Sequence, residues 1–383
     1  RVMNSVERVL TTINHQEPDR IPFDFGATHT TGINVKAYQA LLEHLGMSDE
    51  IRITNLTSQL AEIGTPLCEK WGVDTRGLFP QKPSTWELVI SAEGDYYSFF
   101  DEWNTQWSMP KRGGHYYDMT AHPLKGATAE DLDNYSWPDP SDPSRIKGLR
   151  QRAQEYNDLN KAVLMGATIG NGFLHTGTWL KGYEDFFIDL AGAPKTAEKL
   201  MDKFLELKLK YWDLVLTELG EHIHIVFELD DLGTQEGPLI SPKMYRQFIK
   251  PRQKQLFSLI KRKAPHVKIF FHSCGSIYQI IEDLIEVGVD ILNPVQVNAA
   301  EMGSKQLKRE FGQNLTFWGG GVDTQRVLPY GTPQQVRDEV KKRIDDFAPG
   351  GGFVFATVHN IQSDVPPENI MAMWETLQEY GKY

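Results

Sequence analysis

The sequence predicts a single (β/α)8 (TIM) barrel domain over residues 1–383, with an antiparallel insertion near residues 76–145. From residue 160 onward, short apolar runs alternate with amphipathic segments, which indicates parallel strands joined by helices. Six such strands after residue 160, with one or two before it, approach the eight strands of a closed barrel. No Gly-x-Gly-x-x-Gly turn follows any strand, which disfavours an open doubly wound sheet.

Local patterns define the elements in order. Ser5–Ile13 spaces its apolar residues as a helix does, Pro18 stops it, and residues 21–26 form a short first strand. The later strands are predicted at residues 162–170, 222–229, 268–274, 290–297, 315–318 and 352–358. The helices between and after them are predicted at residues 193–219, 242–263, 277–287, 304–311, 332–347 and 367–380.

The region 76–145 has a different pattern. Trp86–Ile90 and Tyr96–Phe100 are strand-like runs separated by a turn signal, and a stretch rich in Pro and Asp follows at residues 137–143. We interpret this region as an antiparallel insertion or cap on the barrel.

Composition excludes several classes of function. The formal net charge of −11 disfavours a general nucleic-acid binder and a protein that docks on an anionic membrane. No run of 18 apolar residues is present, so no segment is expected to span a bilayer. Only two cysteines occur, Cys68 and Cys274, so no disulfide framework is expected and the reducing cytoplasm is the expected compartment.

The segment Phe270–Ser276 carries the strongest functional signal. His272 and Cys274 lie two residues apart at the end of an apolar run, and side chains at this spacing in a strand point to the same face. Each residue alone also fits a packed core position. Together, an imidazole and a thiol on one strand end are two of the ligands that zinc prefers.

A barrel places the carboxyl ends of all its strands at one mouth, which carries the active site. The polar residues at the predicted strand ends are Asp24, Thr168, Asn171, Glu228, Asp230, Asp231, His272, Cys274, Asn293, Gln296, Asp323 and His359. His359 follows the last predicted strand, so a closed barrel brings it to the same rim as His272 and Cys274. Three ligands with one open position are typical of a catalytic zinc site.

Glu228, Asp230 and Asp231 are the candidate catalytic acids at this rim. They can bind substrate, bind metal or cap the following loop, and the residues alone do not choose among these roles.

Several segments resemble the uroporphyrinogen decarboxylase superfamily, whose members share a (β/α)8 barrel. The resemblance rests on residues 8–10, 14–22, 230–242, 271–275 and 351–370, and it is weakest at residues 76–145. True decarboxylases carry an Arg-Gln-Ala-Gly-Arg type segment after the first strand, which holds the substrate carboxylates. Here that place is Gly26–Gly32 and contains no Arg. Decarboxylation of a porphyrinogen is therefore not expected.

The other branch of this superfamily contains corrinoid-dependent methyltransferases. Members that act on coenzyme M bind zinc through a His-x-Cys pair and a Cys near the chain end, and His272, Cys274 and His359 occupy the matching places. A His in the third place lowers the negative charge on zinc and makes it a stronger Lewis acid, which suits polarisation of an ether oxygen.

The resemblance therefore implies a zinc-dependent methyltransferase of the O-demethylase kind. It would move a methyl group from a small methylated substrate, such as a methoxylated aromatic compound, to a Co(I) corrinoid (cobalamin) on a partner protein. The three candidate acids would orient the substrate or protonate the leaving phenolate, and Phe25, Trp179 and Trp318 would contact its ring. Family members often dimerise, so the resemblance is compatible with a homodimer, and the sequence does not settle the oligomeric state.

Two alternative enzyme activities stay open. The first is a methylcorrinoid:thiol methyltransferase, in which zinc activates a thiol such as coenzyme M. The second is a metal-free decarboxylase of a smaller carboxylated substrate. A non-enzymatic corrinoid- or porphyrin-binding module is also compatible with the polar mouth.

Overall fold

A curved parallel sheet forms the centre of the molecule, as seen in a computed structural model that describes all 383 residues. Seven strands pair in parallel, and their order in the sheet follows their order along the chain. They are Thr75–Leu78, Ala162–Met165, Ile225–Leu229, Lys268–His272, Ile291–Asn293, Thr316–Trp318 and Phe353–Val354.

Residues 21–25 provide the eighth position and close the sheet into a barrel. Phe23 forms a parallel bridge with Phe355, just after the last strand. On its other side, the N–H of Asp74 donates to the carbonyl of Phe23 at 2.9 Å, just before the strand Thr75–Leu78. The predicted barrel is therefore confirmed.

Helices surround the sheet, and most of those predicted after residue 160 are confirmed to within a few residues. The α-helices of the whole chain are Ser5–Ile13, Val35–Leu45, Thr65–Trp71, Leu149–Asp158, Leu174–Lys181, Tyr183–Gly192, Pro194–Leu219, Pro242–Met244, Lys250–Lys263, Ile281–Val287, Ser304–Phe311, Val327–Tyr330, Pro333–Phe347 and Pro367–Tyr380, with a π-helical turn at Tyr245–Ile249. Short 3-10 turns occur at Asp131–Asp133, Pro143–Ile146, Gly220–His222 and Tyr278–Ile280.

The antiparallel insertion is confirmed, but its predicted start was wrong. It contains the three-stranded sheet Tyr96–Phe100, Gln106–Pro110 and Asp118–Ala121. Residues 76–78 belong to the barrel, because they pair in parallel with the strand Ala162–Met165. Residues 86–90 were also expected to form a strand and do not; Leu88, Val89 and Ile90 are exposed there and no strand pairs with them. A two-stranded ribbon, Ile53–Asn55 with Leu60–Ala61, precedes the insertion.

The barrel interior is packed with side chains. Inward-facing residues such as Phe227, Phe270 and Trp318 form one buried cluster, in which the Phe270 and Trp318 rings meet edge to face at 5.5 Å between centroids. A larger cluster fills the space between sheet and helices. The interior is therefore a second core, and any substrate site must lie at a barrel end. None of the helices has both the length and the apolar character that a membrane crossing needs.

A buried carboxylate joins the first helix to the first two barrel strands. Asp74 is fully buried and accepts hydrogen bonds from Arg8 Nη1 at 2.7 Å and Arg20 Nη1 at 2.8 Å. It also accepts from Ser5 Oγ and from the N–H of Phe23. This network fixes the segment that closes the barrel.

Substitution Asp74→Ala is expected to lower the free energy of unfolding by about 3–5 kcal/mol, because it removes the carboxylate that pairs Arg20, one of the two that pair Arg8, and the acceptor of the Phe23 N–H. Urea denaturation followed by tryptophan fluorescence measures the loss. The control is Glu50→Ala, which removes an exposed ion pair with Arg52 and should cost less than about 1 kcal/mol. Equal losses for the two variants would contradict this role for Asp74.

Candidate metal centre

His272, Cys274 and His359 meet at the mouth of the barrel. One ligand atom from each lies within 4.8 Å of the others, so the group can hold a metal ion. Cys274 Sγ is 3.3 Å from His272 Nε2. The imidazole rings of His272 and His359 meet edge to face at 5.1 Å between centroids. The structure thus brings together the three residues that the sequence singled out.

Close backbone packing places Cys274. Gly275 has a φ of +80°, and a Cβ there would lie 2.6 Å from the carbonyl oxygen of Thr234. Gly233 lies in the opposing loop at the same close approach, because a Cβ on Gly233 would lie 2.6 Å from the carbonyl oxygen of Cys274. Only glycine permits this approach. The two loops therefore touch through their backbones, which brings Asp231 beside Cys274.

His359 is held in a strained backbone conformation. Its φ of +73° is in the left-handed region, which costs a residue other than glycine about 1–3 kcal/mol. Its carbonyl accepts a hydrogen bond from Thr357 Oγ1 at 2.5 Å, and its Nδ1 accepts from the N–H of Asn360 at 2.8 Å. Such strain persists where the surrounding structure enforces it, and it concentrates at functional sites.

Burial keeps the three side chains uncharged when no cation is present. It lowers the pKa of His272, and it lowers the pKa of His359 to about 4. Burial, together with the nearby Asp231, raises the pKa of the Cys274 thiol. At neutral pH the group therefore consists of two neutral imidazoles and a thiol.

Asp231 is the candidate acid that lies at this group. Its Oδ1 is 3.6 Å from His272 Nε2 and accepts the N–H of Cys274 at 2.9 Å, and its Oδ2 is 3.3 Å from His175 Nδ1. Burial acts to raise the pKa of Asp231, but the histidines and the N–H of Cys274 outweigh it and lower that pKa. An ionised carboxylate thus stands beside the three potential ligands.

Asp230 has a different role from its neighbour. It is buried, and its two carboxylate oxygens accept the backbone N–H groups of Phe173, Leu174 and His175 at 2.8–2.9 Å. These groups begin the helix Leu174–Lys181, so Asp230 satisfies donors that a helix start leaves free. Burial raises the pKa of its carboxyl group, and the three donors oppose that shift.

Glu228 points to the other side of the sheet. Residues alternate along a strand, and Phe227 and Leu229 face the barrel interior while Glu228 faces the helices. Its carboxylate pairs with Lys208 Nζ at 2.8 Å and accepts from Trp212 Nε1 at 2.7 Å. The structure therefore does not bring Glu228 to the three potential ligands.

A cavity of about 950 Å³ opens above the group, with His272, His359 and Asp231 in its wall. Much of the remaining wall is aromatic. The insertion contributes part of it and the barrel the rest: Trp86, Trp103, Trp107, Tyr116, Tyr117, Trp179, Tyr211 and Phe227. Of the three aromatic residues expected to contact a substrate, only Trp179 lines the cavity. Phe25 stacks on Trp71 in the core, and Trp318 fills the barrel interior.

The sequence did not predict three features of the site. His175 follows no strand end directly, so nothing in its local pattern indicates that it faces Asp231. Asn293 was noted as a polar strand end, but its hydrogen bond to His272 depends on the register of neighbouring strands. The aromatic wall from the insertion depends on how a separate sheet packs over the mouth.

Comparisons with known proteins identify the family. The family model described as "Uroporphyrinogen decarboxylase (URO-D)" matches residues 119–380, more than half of the chain. A uroporphyrinogen decarboxylase from Pseudoalteromonas translucida is 28% identical over 194 residues, which cover 49% of each chain. Another from Alkalilimnicola ehrlichii is 23% identical over 265 residues, covering 67% of this chain and 68% of that one. The chain thus spans about half the length of the first of these relatives.

A solved structure has the same fold over nearly the entire chain. It is described as "methyltransferase from Methanosarcina mazei", and it is 18% identical, with a TM-score of 0.63 over 99% of both chains. At this identity the likeness establishes the fold. The family model, which matches more than half of the chain, shows that the chain belongs to the uroporphyrinogen decarboxylase family.

Proposed function

We propose that this chain is a zinc-dependent methyltransferase. It moves a methyl group from a small methylated substrate, most simply a methoxylated aromatic compound, to the Co(I) corrinoid of a partner protein. The observation that carries the proposal is the convergence of His272, Cys274 and His359 beside a large cavity, whose wall includes His272 and His359. A methyltransferase among proteins of the same fold is consistent with this reaction class.

The donor set fits zinc. Two nitrogens and one sulfur from protein side chains leave one coordination position open, which is the arrangement of catalytic zinc sites. Burial keeps both imidazoles uncharged, and binding would release the thiol proton of Cys274. Because His359 Nδ1 accepts from the N–H of Asn360, binding through His359 Nε2 requires that hydrogen bond to break. Asp231 adds negative charge 3.6 Å from His272 Nε2. A zinc ion bound here would supply Lewis acidity at the open position.

The residues of the chain position the substrate. The aromatic wall suits a flat ring, because aromatic pairs gain from stacked and edge-to-face contacts; Trp107 and Trp179 already meet edge to face at 5.1 Å. Asp231 is the only one of the three candidate acids that lines the cavity. We assign to its ionised carboxylate the orientation of the substrate in the cavity.

Decarboxylation, the activity in the names of the curated relatives, has less support. A substrate with several carboxylates requires several unpaired cations. The cavity wall contains only Lys82 and Arg145 as permanently charged cations. Arg145 is already bound by both oxygens of Glu102, at 3.1 and 2.6 Å. The cavity therefore matches a neutral aromatic substrate better than a polycarboxylate.

Metal analysis of the purified protein tests the zinc site. Wild-type protein is expected to contain about one zinc ion per chain, and Cys274→Ala is expected to lose it, because two nitrogens alone bind zinc weakly. The matched control is Cys68→Ala, which removes the other cysteine, a buried residue of the helix Thr65–Trp71, and should keep the metal. Equal zinc content in both variants, or none in the wild type, would contradict the assignment.

An assay of methyl transfer to a Co(I) corrinoid protein tests the reaction, with the absorbance of the corrinoid as the readout. Methoxylated aromatics are expected to react faster than methanol or glycine betaine. Asp231→Asn should lower kcat by about 100-fold, since a small misplacement of the bound substrate can cost about that much. Glu236→Gln, an exposed change in the same loop, should have no effect.

Two results of these assays point to other activities. Thiol-dependent demethylation of a methylcorrinoid, without ether cleavage, would favour the thiol methyltransferase instead. Turnover of a small carboxylated substrate by zinc-free protein would favour the decarboxylase.

A further inference from the structure

A buried amide lies behind the first potential ligand. Asn293 ends the strand Ile291–Asn293, is the register partner of His272 on the neighbouring strand, and has no exposed surface. Its side chain is held by three hydrogen bonds, to His272, Thr30 and Trp318.

The partners of Asn293 determine which way its amide points. One end lies 2.7 Å from the carbonyl oxygen of Trp318, which can only accept a hydrogen bond, so this end must be the NH2 group. The other end is then Oδ1, which accepts from Thr30 Oγ1 at 2.9 Å. The same Oδ1 lies 2.5 Å from His272 Nδ1. Because an amide oxygen carries no hydrogen, the proton of this bond must be on Nδ1.

The opposite nitrogen of His272 is therefore left with its lone pair. His272 Nε2 faces Cys274 Sγ at 3.3 Å, on the side where the potential ligands converge. Asp231 Oδ1 is 3.6 Å from the same nitrogen. A carboxylate attracts N–H groups, so Asp231 by itself favours the other tautomer, with the proton on Nε2. Asn293 and Asp231 thus favour opposite tautomers of one imidazole.

We propose that Asn293, anchored by Thr30 and Trp318, is a positioning residue that keeps His272 in the Nδ1–H tautomer. Nε2 is then free to bind metal in spite of Asp231. This inference rests on the metal site of the proposed function. Hydrogen-bond partners of metal-binding histidines fix the tautomer and ring orientation, and their loss typically costs 10–100-fold in metal affinity.

The tautomer can be read directly by NMR of metal-free protein labelled with ¹⁵N-histidine. Wild-type His272 is expected to carry its proton on Nδ1. Asn293→Leu has a similar size and no acceptor, so its His272 is expected to shift toward Nε2–H. A wild-type His272 with its proton on Nε2 would overturn the inference without any variant.

Zinc affinity, measured by competition with a chelator, provides the second readout. Asn293→Leu should bind zinc about 10–100-fold more weakly, and Thr30→Val, which removes one anchor, should shift affinity in the same direction by less. Asn298→Leu is the matched control, because the Asn298 amide donates to Gln325 in an exposed loop. The zinc affinity of this variant should equal that of the wild type.

The outcomes separate this inference from the proposed function. Unchanged zinc affinity and tautomer in Asn293→Leu would overturn the role of Asn293 while the zinc site stands. Wild-type protein without zinc would contradict the proposed function, and the NMR measurement would still decide the tautomer. If Asn293→Leu does not fold, wild-type NMR and Thr30→Val decide the question.

Discussion

Closure of the barrel is the constraint on which the site depends. His272 ends one strand and His359 lies after another, with two strands between them, and a flat sheet would hold the two residues far apart. Residues 21–25 hydrogen-bond on one side to Phe355, just after the last strand, and on the other side to Asp74, just before the strand Thr75–Leu78. Asp74 secures that segment through Arg8, Arg20 and the N–H of Phe23. A buried ion cluster just before the strand Thr75–Leu78 thereby secures the segment that closes the barrel.

The three candidate acids, Glu228, Asp230 and Asp231, have different roles because their side chains point in different directions. Glu228 faces outward and neutralises buried Lys208, whereas Asp230 satisfies the start of a helix. Asp231 alone keeps a carboxylate oxygen beside the potential ligands. Its charge favours a cation there but also attracts a proton to His272. The amide of Asn293 resolves this conflict, because its oxygen accepts the imidazole proton on the far side of the ring.

The sequence was sufficient for features that depend on local periodicity. Alternating strands and helices predicted the barrel, and the spacing of His272 and Cys274 predicted that the two converge. The sequence did not predict roles that differ between adjacent residues of the same type. Asp230 and Asp231 are adjacent and identical in type, yet one caps a helix and the other lines the cavity. The partner of His272 in the next strand depends on register, which local periodicity does not contain.

X-ray absorption at the zinc K-edge, on protein purified without added metal, identifies the ligand atoms of the metal. We expect zinc bound by one sulfur at about 2.3 Å, from Cys274, and by nitrogen or oxygen ligands at about 2.0 Å, two of them imidazoles. A spectrum without sulfur, or with more than one sulfur, would contradict the assignment of His272, Cys274 and His359 as the metal ligands.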